Sequence, residues 1–72
     1  MEMKKAFKNI SEEEIEIIRK TNRQHCKALG EKQKEVYAFD NIVRVKRNPA
    51  ERCWNVHFAN GEWYHYGRGV WY

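Results

Sequence analysis

The pair Asn60-Gly61 is the sequence feature that most restricts how this chain can fold. It lies between two runs in which apolar and polar residues alternate, CWNVHF and EWYHY. Asn-Gly between alternating runs is typical of a β-hairpin with a two-residue turn, because such turns need backbone conformations that Asn and Gly tolerate. The sequence therefore predicts an antiparallel hairpin with this pair at its tip.

A two-residue turn also predicts which residues face each other across the hairpin. Phe58 would pair with Trp63, and His57 with Tyr64. Since successive side chains of a strand point to opposite faces, this register sorts the side chains into two sets. The more apolar set, expected in the core, is Trp54, Val56, Phe58, Trp63 and His65. The set expected on the opposite, outer face is Cys53, Asn55, His57, Tyr64 and Tyr66.

The preceding segment predicts two more strands. The run VYAFDNIVRVKR alternates in character, with Asp40-Asn41 as a plausible turn within it. The segment NPAE that follows has the composition of a type I turn. Val43 and Val45 are expected to join the core, which places Arg44 and Lys46 on the outer face.

A helix is predicted before the strands. Ser11 is a good N-cap residue, and Glu14 completes a capping box, with isoleucines at the two positions of a hydrophobic staple. Gly30 is expected to end the helix, which would run from about Glu12 to Leu29. Ile17 is expected to be exposed. The stripe expected to be buried is Ile15, Ile18, Asn22, Cys26 and Leu29.

These elements predict an α+β fold, in which one N-terminal α-helix packs on a three- to four-stranded antiparallel β-meander. The 72 residues are enough for one domain. Within it, residues 1–9 are interpreted as a loose arm with Met3 and Phe7 as apolar anchors. Residues 11–30 are assigned to the helix and residues 35–72 to the meander.

The composition restricts the class of protein. The formal net charge of +4 favours polyanionic partners. No stretch reaches the roughly 18 consecutive apolar residues of a membrane-spanning helix, and the first residues contain no apolar run of signal-peptide length. We therefore expect a cytoplasmic protein with no membrane partner. Cys26 and Cys53 are expected to be reduced thiols, with one bridge between them left open as an alternative.

The predicted outer face combines tyrosines with basic residues, which suits a nucleic acid. Basic side chains pair with phosphates, and aromatic rings stack on exposed bases. DNA and RNA are both left open. The predicted binding residues are Arg44, Lys46, Arg47, Arg52, His57, Tyr64, Tyr66 and Arg68, with Arg19, Arg23, Lys27 and Trp71 as a secondary set.

Two other interpretations use the same residues. Tyr and Arg are common on half-exposed strands for reasons of propensity alone. The same face would also suit a host protein, in which case the chain would be a stoichiometric inhibitor or adaptor of the kind that phages and mobile elements encode. In that alternative, Trp71-Tyr72 and Ile17 would contribute contacts.

No catalytic or cofactor motif stands out, and we expect neither an enzyme nor a cofactor. No P-loop, dinucleotide fingerprint or metal-hydrolase motif is present. A nuclease site built on His57, Tyr64 and Arg68 lacks a full constellation. The possible zinc ligands, which are His25, Cys26, Cys53, His57 and His65, lack the paired spacing of a tetrahedral site. A helix-turn-helix needs a second helix, and the segment 31–37 is short with β-type residues at its end, so a lone helix is preferred.

Overall fold

The computed structural model describes residues 5–72, in which two α-helices precede a three-stranded sheet. The sheet is antiparallel with strand order β1-β2-β3. One long helix on an antiparallel meander confirms the predicted α+β fold. In chain order, the elements are a 3-10 turn Lys5–Phe7, α1 Glu12–Lys27, α2 Glu31–Val36, a 3-10 turn Phe39–Asn41, β1 Ile42–Asn48, β2 Cys53–Phe58 and β3 Trp63–Tyr66.

The predicted start of α1 is confirmed. The backbone N–H of Glu14 donates to Oγ of Ser11 at 3.1 Å, and the backbone N–H of Ser11 donates to Oε1 of Glu14 at 2.9 Å. These two bonds satisfy N–H groups that have no partner within the helix. The end of the helix differs from the prediction. The helix ends at Lys27 with Ala28 as its C-cap, two residues before the predicted end at Leu29, and Gly30, expected to end α1, is instead the N-cap of α2.

The segment that leads into the sheet is helical, which corrects the prediction of a strand in VYAF and the preference for a lone helix. The residues EKQKEV of α2 are mostly strong helix formers. The amide of Asn41 donates to the carbonyls of Glu35 and Val36, at 2.7 and 3.3 Å, and so satisfies the end of this helix. Tyr37 then turns inward and is buried.

The hairpin between β2 and β3 forms, but its register differs by one residue from the prediction. His57 pairs with Trp63 and Val56 with Tyr64. The loop has three residues, 59–61, because Phe58 N–H donates to the Glu62 carbonyl at 2.9 Å. Gly61, with a φ of +91°, is the left-handed residue that such a loop requires.

This one-residue slip reverses the two faces of β3. Tyr66 is buried with no exposed surface, and Tyr64 is half-buried on the inner side of the sheet. Trp63 is 47% exposed, and His65 lies on its side of the sheet. The expectation that Trp63 and His65 face the core, and that the two tyrosines face outward, was therefore wrong.

In β1, a bulge corrects the predicted position of Val43. Ile42 pairs with Phe58, and Arg44 pairs with His57, the neighbour of Phe58 on β2. Val43 is therefore an extra residue on β1 with no partner of its own on β2. Val43 is 54% exposed, and Ile42 is buried in its place. Beyond the bulge the alternation is as predicted, because Val45 is buried and its two basic neighbours are exposed. The type I turn predicted for NPAE is consistent with the Glu51 N–H bond to the Asn48 carbonyl at 3.2 Å.

The core lies between α1 and the inner face of the sheet. Its members are Phe7, Ile10, Ile15, Ile18, Tyr37, Ile42, Val45, Trp54, Val56, Phe58 and Tyr66. Ile17 packs partly against this core, so the expectation that it is exposed was wrong. Of the predicted helix stripe, Cys26 and Leu29 are only half-buried, whereas Thr21 and His25 are buried.

The two ends of the described chain are attached to the core. Phe7, an expected anchor of the N-terminal arm, is buried and stacks on Phe39 with ring centroids 5.2 Å apart. Met3, the other expected anchor, lies outside the described residues. At the C-terminal end, Trp71 forms a bridge with Tyr66 and packs against the core. Tyr72 then continues beside β3.

Candidate binding face

The outer face of the sheet, on the side opposite α1, presents two rows of side chains that cross all three strands. The first row is Arg44, His57 and Trp63. The second row is Lys46, Asn55 and His65, and it continues to Tyr72 through two backbone hydrogen bonds of 2.9 and 3.0 Å between His65 and Tyr72. Basic residues therefore stand at the β1 end of both rows, and aromatic rings stand at the other end.

Four of these side chains form a continuous run of rings. His57 and Trp63 stack with centroids 5.6 Å apart. Trp63 and His65 are 4.8 Å apart and tilted, and His65 and Tyr72 are stacked at 4.6 Å with planes only 7° apart. Trp63 is 47% exposed and Tyr72 is 59% exposed. The run thus leaves two large rings accessible to a partner.

The strand residues of the outer face carry charge of one sign, because none of the acidic residues among residues 5–72 lies in a strand. Arg44 and Lys46 are exposed, and neither makes an ion pair within residues 5–72. Burial lowers the pKa of His57, and the charges of Arg44 and Lys46 lower it further. His57 is therefore a neutral ring at neutral pH, next to two uncompensated positive charges.

The structure separates Arg47 from this face. Arg47 is in the inner row with Trp54 and Tyr66. Its guanidinium donates two hydrogen bonds to the carboxylate of Glu14, with Nε 2.7 Å from Oε2. The indole N–H of Trp54 donates to the same Oε2 at 2.9 Å. These bonds hold the pKa of Glu14 well below its usual range, and they occupy Arg47 in attaching β1 to the start of α1.

Tyr64 and Tyr66, predicted as stacking residues, belong to the core. The hydroxyl of Tyr66 accepts a hydrogen bond from Nδ2 of Asn22 at 3.0 Å and lies 2.7 Å from Nδ1 of His25. The ring of Tyr64 packs on His25 at a centroid distance of 4.5 Å. Burial raises the pKa of Tyr66 above its ordinary value of 10.0. Neither ring is placed to stack on a ligand at the outer face.

The remaining predicted residues lie around the face or away from it. Arg52 and Arg68 are exposed beside a groove of about 550 Å³ that also reaches Tyr72. Trp71 is half-buried and stacks on His25 at 5.3 Å. The secondary set on α1, which is Arg19, Arg23 and Lys27, lines a separate groove of about 750 Å³ between α1 and α2.

Cysteine and histidine side chains are not gathered into a site. Cys26 and Cys53 are free thiols. The thiol of Cys26 donates to the Tyr37 carbonyl at 3.3 Å, and burial raises its pKa. Among residues 5–72, no group of three His, Cys, Asp or Glu side chains is placed to hold a metal ion. Neither α1 nor α2, the helices of the described part, is long and apolar enough to cross a membrane.

No protein-family model, curated protein or solved structure shows significant similarity to this chain. Trp63 and His65 of the outer face were missed as surface residues because the register was predicted one residue away, whereas Tyr72 was named only as a contact for a protein partner. The available signal was Ala59, since three residues that end in Gly61 also make a common hairpin loop.

Proposed function

We propose that the protein binds single-stranded nucleic acid through its outer face, as a small cytoplasmic accessory or regulatory protein without catalytic chemistry. The main support for this proposal is that each row begins with a basic side chain of β1 that has no ion pair in the described chain and continues to aromatic rings at β3. Phosphates bind basic side chains, and unpaired bases stack on aromatic rings. The face offers both contacts.

The arrangement favours a single strand over a duplex. Trp63 and Tyr72 present ring surfaces, and a nucleotide base can stack on such a surface only when it is not already stacked inside a helix. Sheet-based recognition of single strands uses aromatic side chains on the exposed face in this manner. Arg44 and Lys46 are two strands away from Trp63, a distance of about 10 Å. A single-stranded nucleic acid can therefore place its phosphates over β1 and its nucleotide bases over β3.

The alternative partner is a host protein, bound in the manner of an inhibitor or adaptor. Trp63, Tyr72 and Val70 are all about half exposed, and aromatic residues are frequent anchors of protein interfaces. Trp71 and Ile17, which were expected to contribute to such an interface, are partly buried in the core. The absence of acids from the three strands of the described chain favours a polyanion over a neutral protein surface.

The proposal is tested by fluorescence anisotropy with a labelled single strand and its duplex, at about 50 and about 200 mM salt. We expect the single strand to bind more tightly and to lose affinity steeply with salt. Charge reversal by Arg44→Glu and Lys46→Glu should weaken binding and flatten the salt dependence. If the wild-type protein does not bind either ligand at the lower salt, the proposal is wrong, and a protein partner becomes the better interpretation.

A second pair of variants tests the role of the rings. Trp63→Ala should weaken binding by about 5- to 150-fold, which corresponds to about 1–3 kcal/mol for one stacked base, and it should leave the salt dependence unchanged. Trp63→Phe retains a ring and should lose much less. Equal affinities for wild type, Trp63→Ala and Trp63→Phe would contradict stacking at this position.

A further inference from the structure

We propose that the phosphate backbone of the bound strand lies in a basic groove at the β1 edge of the sheet, formed by the N-terminal segment and β1. This inference rests on the proposed function and extends the binding site to residues that the outer face does not include. The groove has a volume of about 480 Å³. Its basic lining residues are Lys5, Lys8, Arg44, Lys46 and Arg47.

The charge of this groove is its decisive property. Five of the lining residues are basic and none is acidic. Arg47 is neutralised by Glu14. The other four bases, Lys5, Lys8, Arg44 and Lys46, make no ion pair within the described part of the chain. Such a concentration of unpaired positive charge beside a concave surface attracts a polyanion.

The N-terminal lysines are held at the groove by buried neighbours. Phe7 and Ile10 are 4% and 7% exposed, and both belong to the core. The turn between them is closed by a hydrogen bond from Ile10 N–H to the Phe7 carbonyl at 3.0 Å. Lys5 and Lys8 flank Phe7 in sequence, so its anchoring keeps their backbone beside β1. Residues 5–10 are thus a wall of the groove and not a loose arm.

The groove is continuous with the outer face. Arg44 and Lys46 line the groove and also begin the two rows that end at the rings. A single-stranded nucleic acid whose phosphates follow the β1 edge would therefore extend its nucleotide bases across β2 toward Trp63 and Tyr72. Charged residues on an edge strand also discourage edge-to-edge aggregation. Protection against aggregation would explain the basic side chains of β1. It would not explain Lys5 and Lys8, which lie outside the strand.

The test uses a variant confined to the groove, Lys5→Gln with Lys8→Gln, and a matched control, Lys20→Gln with Lys32→Gln. Both pairs remove two exposed lysines, and the control positions are on α1 and α2. The slope of log affinity against log salt is measured for a labelled single strand. Each lost phosphate contact reduces this slope by about 0.7 for a single strand. We expect a reduction of about 1.4 for the groove variant and little change for the control.

Each outcome decides between the two proposals. If the groove variant keeps the wild-type slope while Trp63→Ala loses affinity, the groove is wrong and the proposed function stands. If groove and control variants lose the same slope, the attraction comes from net charge and the groove is again wrong. If the wild-type protein binds no single strand at low salt, the proposed function fails and the groove fails with it.

Discussion

At the scale of single residues, Tyr66 shows how polar groups connect α1 to the sheet. Asn22 donates through Nδ2 to the Tyr37 carbonyl at 2.7 Å and to the hydroxyl of Tyr66 at 3.0 Å. Since the hydroxyl oxygen of Tyr66 accepts from Asn22, its hydrogen is available for Nδ1 of His25 at 2.7 Å. Burial lowers the pKa of His25, which favours the neutral ring, and a neutral ring with an unprotonated Nδ1 can accept from this hydroxyl.

Removal of this hydroxyl should destabilise the fold. In Tyr66→Phe, the buried groups of Asn22 and His25 lose a partner, and an unsatisfied buried polar group costs about 1–3 kcal/mol. Urea unfolding measures the loss in the free energy of unfolding. Tyr72→Phe removes the same atom from a ring that is 59% exposed, and it should change stability by less than about 0.5 kcal/mol. Equal effects of the two variants would contradict the network.

The burial of His25 predicts how stability depends on pH. Burial lowers the pKa of His25 below 6.5, so the unfolded chain takes up a proton at a higher pH than the folded protein does. The free energy of unfolding should therefore fall as the pH decreases from about 7.5 through about 6.5. The pKa of His57 is lowered as well and contributes with the same sign. Because His57 is only half-buried, His57→Gln should retain most of this dependence.

His25→Gln provides the comparison. It removes the titrating group that is buried in the core, and its free energy of unfolding should depend less on pH across the same range. Denaturant titrations of the wild type and the two variants at several pH values give the slopes. A wild-type stability that does not change between about pH 7.5 and about pH 5.5 would contradict a buried neutral His25.

At the scale of elements, local and non-local interactions explain which predictions succeeded. The start of α1 was predicted because Ser11 and Glu14 satisfy each other within three residues. The helix α2 was missed because its end is satisfied by Asn41, five and six residues away. The inward turn of Tyr37 depends on Asn22 of α1. Such contacts leave no periodic pattern in the sequence.

The hairpin shows how small the decisive difference can be. Both a two-residue and a three-residue loop accept Gly at position 61, and both preserve the alternation of the strands. The two loops differ by one residue in register, and this slip exchanges the faces of β3. The existence of the hairpin was therefore predictable, whereas the side on which Trp63 and Tyr64 lie depends on which ring set packs better against α1.

The hairpin loop allows a prediction about its backbone. Gly61 has a φ of +91°, and no atom would lie within 4 Å of an added Cβ. Gly61→Ala should therefore cost about 1–2 kcal/mol through backbone strain alone. Gly30 is equally open but has a φ of −72°, so Gly30→Ala adds no backbone strain, and its cost as an N-cap substitution should stay below the cost at Gly61. Thermal unfolding of both variants gives the comparison, and a loss no larger at Gly61 than at Gly30 would contradict the left-handed turn.

At the scale of the whole molecule, the two sides of the sheet differ in charge. Within residues 5–72 the acids lie in the helices and loops, and the outer face carries Arg44 and Lys46 without a carboxylate in any of the three strands. This separation gives the molecule a positive side that would orient an approaching polyanion. The sequence correctly indicated the basic part of this side, because the alternation of β1 beyond Val43 is local.

The aromatic part of the site, and its extension to Lys5 and Lys8, needed the three-dimensional structure. Trp63 and His65 were assigned to the wrong face because the register was predicted one residue away. Lys5 and Lys8 were not predicted as binding residues because the N-terminal segment was interpreted as loose. In the structure Phe7, which lies between them in sequence, is buried in the core and anchors this segment. Arg47 was included although Glu14 binds it, since a contact between residues 33 positions apart has no signature in a single sequence.

The central claim is that the outer face binds single-stranded nucleic acid, and the indole N–H signals of the three tryptophans test it directly. In a titration of ¹⁵N-labelled protein with a single-stranded oligonucleotide at low salt, the signal of the exposed Trp63 should shift. The signal of Trp54, whose N–H is bound to Glu14 on the inner side, should stay in place and serve as the internal control. A Trp63 signal that does not move at saturating oligonucleotide would contradict the account.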